Sequence, residues 1–237
     1  MCGAEGSTRE HVPPRCFFPK GVGHQELLTV RSCPKHNTSK SNDDQYVLAQ
    51  ICINAGLGDN LAKQVFQRSV APQLIRSPAF AARIAQGSKT LPNGSRVYPV
   101  DANRMDRFFD HLVHALVFAR YDRQLESAQY GIAHLYLSLI SDDPKETARR
   151  DVVVRGIGHM SSEFAEFEER FEAATVIEPV YEYMLLAPAG PDASMTFRHF
   201  FYGVFEVVSL LTRRIPDAYP AVHRTRTRAA RAGDCER

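Results

Sequence analysis

Two stretches decide how the chain begins: Thr8-Arg9-Glu10-His11-Val12-Pro13-Pro14, and LLTVRSCPKHNTSKSNDD at residues 27–44. Leu27-Leu28-Thr29-Val30 is the one aliphatic run in a segment otherwise rich in Gly, Pro, Ser, Thr, Cys and His, and it predicts a short strand. Asp43-Asp44 then introduces Tyr46, Val47, Leu48, Ile51 and Ile53, the apolar face of a helix, with Gly56 and Gly58 as its stop. The expected order is an acid–His pair stiffened by two prolines, a strand, a tight turn and a helix. A segment this polar builds no core alone, and small modules of that kind usually need a metal or a disulfide.

The turn carries candidate metal chemistry. Cys33 and His36 stand in C-x-x-H spacing, which lets one knuckle present two donors to one ion. Zinc takes four such donors. Cys2 is a candidate third, and Cys16 and His24 are further donors without diagnostic spacing. The alternative is that Cys33 and His36 are simply packed. Glu10-His11 sets a carboxylate beside an imidazole, and Asn37 follows behind the knuckle with Lys40 three residues on. Phosphodiester hydrolysis needs a base for water, a cation at the scissile phosphate and oxygen ligands for that cation. His11, Glu10 and Asn37 are of the required types, and Mg²⁺ is content with few protein oxygens. Lys35 and Lys40 are candidate phosphate contacts, or ordinary lysines of a solvated helix. Asp43 and Asp44 read as extra metal ligands, as partners for Arg and Lys, or more plainly as favourable charges at a helix N-terminus.

These residues together resemble the HNH (ββα-metal) nucleases, in particular the zinc-knuckle branch. In that family an acid–His pair ends the first strand of a hairpin, and the second strand leads into C-x-x-C-[HN]-x-x-K at the start of a helix. Glu10-His11 matches the pair, Leu27 to Val30 the second strand, and Cys33-x-x-His36-Asn37-x-x-Lys40 the knuckle. The resemblance implies His11 as general base, Glu10 and Asn37 as ligands of a catalytic Mg²⁺ or Mn²⁺, and Cys2, Cys33 and His36 as structural Zn²⁺ ligands. It covers about a fifth of the chain. The sequence departs from the pattern in three places. A knuckle ending at Cys2 would need a cysteine before Met1, His36 replaces the last knuckle cysteine, and the middle family position falls near Gln25 or Glu26.

The composition changes near residue 50. An α+β architecture is expected: a small ββα-metal finger at 1–55, a mainly helical domain with a few strands at 60–215, and a basic, disordered tail at 216–237. Leu61 to Phe66 and Pro78 to Ile84 read as short helices, and Leu91 to Val100, with Pro-Asn-Gly, as a hairpin or extended linker. Met105 to Tyr121 is the clearest amphipathic helix, with Asp101 as its N-cap. Ile132 to Ile140 is an apolar segment, Val176 to Ala187 suits a strand, and Thr196 to Leu211 suits a strand or an aromatic-rich helix. His111 and His114 share one helix face but sit among Leu112, Val113 and Leu116, so half-buried helix histidines are the plainer reading. His199, among aromatics, reads as core, or else as part of a base-stacking surface.

The net charge of +2 does not by itself argue for a polyanion partner. Seven arginines from Arg213 onward face three acids, leaving about +4 there, a source of sequence-independent DNA affinity. No apolar run reaches the roughly 18 residues of a membrane span, and no secretory signal is visible. A cytoplasmic protein is expected, and its five cysteines argue against a disulfide framework. No phosphate loop, dinucleotide fingerprint or G-x-S-x-G is present. The expectation is a metal-dependent endonuclease acting on DNA, with the helical region choosing the substrate or a protein partner. Its rivals are a zinc-knuckle nucleic-acid-binding protein without catalysis, and a partner-binding protein with a vestigial N-terminus.

Overall fold

The structure is a computed structural model that describes residues 6–19, 28–34, 37, 40–55, 60–94, 96–126, 128–139, 143–163, 168–171, 180–187 and 194–214. Cys2, His24, Gln25, Glu26, Leu27, Lys35, His36, Gly56, Gly58 and the arginine tail after Arg214 lie outside these residues.

The chain opens with a two-stranded antiparallel hairpin, β1 (Thr8–His11) on β2 (Thr29–Ser32), with Glu10 opposite Val30 and His11 opposite Thr29. The second strand therefore starts two residues later than the aliphatic run indicates and ends beside the knuckle. Gly6 lies against β2, where a Cβ would come within 2.7 Å of the Arg31 Cβ. Helix α1 (Ser41–Ala55) follows, with Asp43 and Asp44 in its first turn. It buries Tyr46, Val47, Leu48, Ile51 and Cys52.

Short helical segments come next: α2 (Leu61–Val65), a π turn (Phe66–Val70), α3 (Ala71–Arg76) and α4 (Pro78–Ala85). The caps are local chemistry. Asn60 accepts a hydrogen bond from the Lys63 amide at 3.1 Å. Ser77 caps α4, which has proline in its first turn, where a missing N–H costs nothing. The Pro-Asn-Gly stretch is a small hairpin of two-residue strands, β3 (Lys89–Thr90) and β4 (Arg96–Val97).

Helix α5 (Ala102–Tyr121) is the long amphipathic helix the periodicity predicts. Asp101 accepts from the Arg104 amide at 3.3 Å, and left-handed Asp122 (φ 49°) closes the other end. Strand content after it exceeds the expectation of a mainly helical region. Five antiparallel strands form one sheet: β5 (Tyr130–Tyr136), β6 (Glu168–Phe171), β7 (Tyr181–Leu186), β8 (Met195–Phe201) and β9 (Phe205–Arg213), in the order β5-β9-β8-β7-β6. Residues 196–211 are thus two strands rather than a helix. Their turn uses Tyr202 (φ 54°) and Gly203 (φ 68°). A left-handed tyrosine is strained by roughly 1–3 kcal/mol, and its position is held from two sides. The Tyr202 amide donates to Val180 O at 3.1 Å, and its hydroxyl donates to Phe17 O at 2.8 Å.

One face of the sheet is buried and the other is partly covered. Phe109 of α5 packs on His134, Tyr136, His199 and Phe201. On the opposite face Val153 of helix α6 (Pro144–Glu163) meets Leu135, Val208 and Leu210. The N-terminal segment joins the same core: Phe17, fully buried, stacks on Phe108 at 5.4 Å and touches Phe201 at 5.3 Å. One continuous cluster of buried residues runs from Val12 to Leu211. No helix among the described residues is long and apolar enough to cross a membrane.

Candidate functional site

The acid–His pair ends β1, and both residues line one cleft. Past the hairpin the chain folds back. Asn37 closes a helical turn, its amide N–H donating to Cys33 O at 3.0 Å. Its side-chain nitrogen donates to Thr8 Oγ1 at 3.2 Å, and Thr8 Oγ1 in turn donates to Ser32 O at 2.6 Å. Asn37 thereby ties the knuckle turn to both strands.

Lys40 is the surprise of the motif. It is 7% exposed rather than solvated, and its ammonium lies 2.6 Å from Glu10 Oε1 and 3.4 Å from Asp44 Oδ2. The expectation of a lysine reaching for phosphate or water gives way to an ammonium held between two carboxylates. Burial pushes the Asp44 carboxyl up to about 6, outweighing the opposing pull of Lys40. Cys16, a neighbour of both charges, is pushed up to about 12, first by burial and then by Asp44, so it stays a thiol at neutral pH.

A small cleft, about the size of a water molecule, lies at this cluster, lined by Glu10, His11, Val12, Pro14, Lys40 and Asp44 from the N-terminal segment. Its other wall is α5, which contributes Phe108, His111, Leu112 and Ala115. Side chains separated by some 30 and 100 residues of chain thus share one concave site.

Asp43 points elsewhere. It takes two hydrogen bonds from Arg107, at 2.8 and 3.2 Å, and lies 3.4 Å from Arg104. Together Asp43 and Asp44 orient Arg and Lys side chains while also standing in the first turn of α1, so two of the three readings of this pair apply at once.

Hard oxygen donors suit a divalent cation such as Mg²⁺. The Lys40 ammonium between Glu10 and Asp44 is a stand-in cation and marks where positive charge is stabilised. Glu10 therefore fits a cation site. Asn37 fits through its amide oxygen alone, because its amide nitrogen is engaged by Thr8. Among the described residues no three His, Cys, Asp or Glu side chains converge as a ready-made ligand set. Of the expected zinc ligands only Cys33 is described. It is buried, 8% exposed, directly after β2.

The other histidines resolve differently. His199 is fully buried, which settles it as core and not as a base-stacking surface. Burial lowers its pKa to about 3, and that of His114 to about 4. His111 is half-buried at the cleft. No spacing in the sequence announced that placement, whereas the Lys40–Asp44 pair follows the four-residue spacing of a helix face.

Compared with models of protein families, with curated proteins and with solved structures, the chain finds no match.

Proposed function

We propose that the N-terminal hairpin and the turn after it form an HNH-type endonuclease site that hydrolyses phosphodiester bonds in DNA with a divalent ion. The observation that carries this reading is the meeting of Glu10, His11 and Lys40 in one cleft, with Asn37 bonded to the same strand. His11 is the general base: it lines the same cleft as Glu10 and takes the proton of the attacking water. Glu10, with the amide oxygen of Asn37, would hold Mg²⁺ or Mn²⁺. Bound there, the ion supplies Lewis-acid polarisation of the phosphate. Lys40 keeps the Glu10 carboxylate oriented and neutralised until then. Zn²⁺ on Cys2, Cys33 and His36 belongs to the same proposal as the clamp of the knuckle turn, and metal analysis of the purified protein tests it.

The test is nicking of supercoiled plasmid. Full-length protein with Mg²⁺ or Mn²⁺ relaxes the plasmid, and His11→Ala protein does not, a loss of about 10²–10⁴-fold in rate. Equal nicking by the two proteins would sink the assignment.

One observation favours a second reading, a DNA-binding module without catalysis. The contact of 2.6 Å between Lys40 and Glu10 occupies the carboxylate that the ion needs. Retention of DNA without any cleavage, in either metal, would establish that alternative.

A further inference from the structure

Helix α5 enters the cleft from outside the motif. Phe108, His111, Leu112 and Ala115 follow the three-and-four spacing of one helix stripe, and all four line the cleft. Phe108, Leu112 and Ala115 are buried and apolar, and His111 is the stripe's polar, half-buried member. Separate contacts fix this wall against the motif. Arg107 grips Asp43 with two hydrogen bonds, the Asp101 amide donates to Tyr46 Oη at 2.8 Å, and Phe108 stacks on Phe17. His111 and His11 therefore line the same cleft from two different elements.

We propose that His111 is a second catalytic residue of this cleft, the general acid that protonates the leaving sugar oxygen. The inference rests on the nuclease reading and names a residue the motif does not contain. In an in-line displacement the attacking and leaving oxygens stand on opposite sides of phosphorus, so a base and an acid must approach from different directions. His11 on the hairpin and His111 on α5 line the cleft from two different elements, the arrangement this division of roles needs. Water gives its proton to His11 as its oxygen bonds to phosphorus. The bond from phosphorus to the sugar oxygen breaks, its electron pair stays on that oxygen, and His111 in its protonated form delivers the proton there. One proton enters at His11 and one leaves from His111, and exchange with solvent restores both.

The discriminating experiment compares leaving groups on full-length protein with Mn²⁺. Plasmid DNA leaves as an alkoxide that needs a proton, whereas bis(4-nitrophenyl) phosphate leaves as a phenolate that does not. His111→Gln is expected to cut plasmid cleavage by about 10²-fold and to hold hydrolysis of the nitrophenyl ester within about twofold of wild type. His11→Ala is expected to lose both activities. Unchanged plasmid cleavage by His111→Gln, with His11→Ala inactive, overturns the role of His111 and leaves the nuclease reading standing. Equal losses on both substrates by His111→Gln and by His111→Ala make His111 structural and overturn the proposal as well. Failure of the wild-type protein to cleave either substrate overturns the nuclease reading, and this inference with it.

Discussion

Helix α5 separates two polar clusters that obey opposite rules. On one side Glu10, Lys40 and Asp44 form a charged group at the small cleft. On the other side a line of hydrogen-bonded groups runs through the sheet. Tyr181 Oη lies 2.9 Å from His199 Nδ1, His199 Nε2 lies 2.9 Å from Ser209 Oγ, and Ser209 Oγ lies 2.8 Å from His134 Nδ1. The line ends with His134 Nε2 at 3.0 Å from Asp110 Oδ1. A carboxylate only accepts, so with both imidazoles neutral every hydrogen in this line points toward Asp110. Tyr181, His199 and Ser209 are all buried, and each finds its partner inside the protein. The difference teaches where chemistry can occur. Tyr181, His199 and Ser209 are sealed from solvent and only Asp110, at the end of the line, reaches it, so the line pins α5 to the sheet. The cleft cluster joins two carboxylates to a single ammonium beside a pocket, so its charges are unequal in number where those of the sheet are paired one to one.

Substitutions that separate the two clusters test this contrast. The largest effect is expected from Glu10→Gln, which should reduce metal-dependent plasmid nicking by about 10³-fold, since ligand and base act as a unit. Its urea midpoint should move little by comparison. A large fall in stability with activity retained per folded molecule would put the cleft in the structural class.

Lys40→Met comes next. It strands two carboxylates that are each 12% exposed, and an unpaired buried charge costs about 3 kcal/mol or more. Adding Glu10→Gln to Lys40→Met should recover part of that loss in denaturant unfolding. Strict additivity would show that the pair is not coupled.

In the sheet, His199→Phe should cost about 2 kcal/mol by removing the partner of the Tyr181 hydroxyl and one of the two partners of Ser209. It should also change the pH dependence of stability. Burial holds the folded imidazole at about 3, below its ordinary value. As pH falls from the ordinary histidine value toward about 3, the unfolded chain takes up a proton that the folded protein refuses. Stability present above that window is lost within it, at about 1.4 kcal/mol per pH unit for one proton. His199→Phe should flatten the slope, and an unchanged slope would assign it to other groups.

The smallest effect is expected at Asp110→Asn. The Asp110 side chain is 45% exposed, and asparagine can still accept from His134, so unfolding should shift by less than about 1 kcal/mol. Loss of nicking by this variant would show that the line communicates with the cleft, against the contrast drawn above.

Much of the scaffold is legible in the residues. The stripe Met105, Phe108, Phe109, Leu112, Val113, Leu116 and Val117 specifies α5, and all seven are buried. Asp101 marks its start, and Ser77-Pro78 marks that of α4. The order of acid–His pair, strand, knuckle and helix is also readable, and the hairpin and α1 follow that order. Residues 196–211 are less legible. Phe197, His199, Phe201, Phe205, Val207, Ser209 and Leu211 alternate along two strands toward α5, while Val208 and Leu210 face α6. Apolar residues on the half-exposed face, Phe200, Val208 and Leu210, blur the alternation of apolar and polar residues, and the sequence then resembles that of a buried helix.

The sequence by itself determined where the main helices begin and which residue types the N-terminal motif sets close together, because caps, periodicity and motif spacing act over a few residues. Only the tertiary structure decided which of those residues meet. Lys40 became a buried partner of Glu10 because the turn after β2 folds back onto β1, and His111 reached the cleft because α5 is clamped to Asp43, Tyr46 and Phe17. Such meetings depend on packing between segments far apart in the chain, and no local pattern records them.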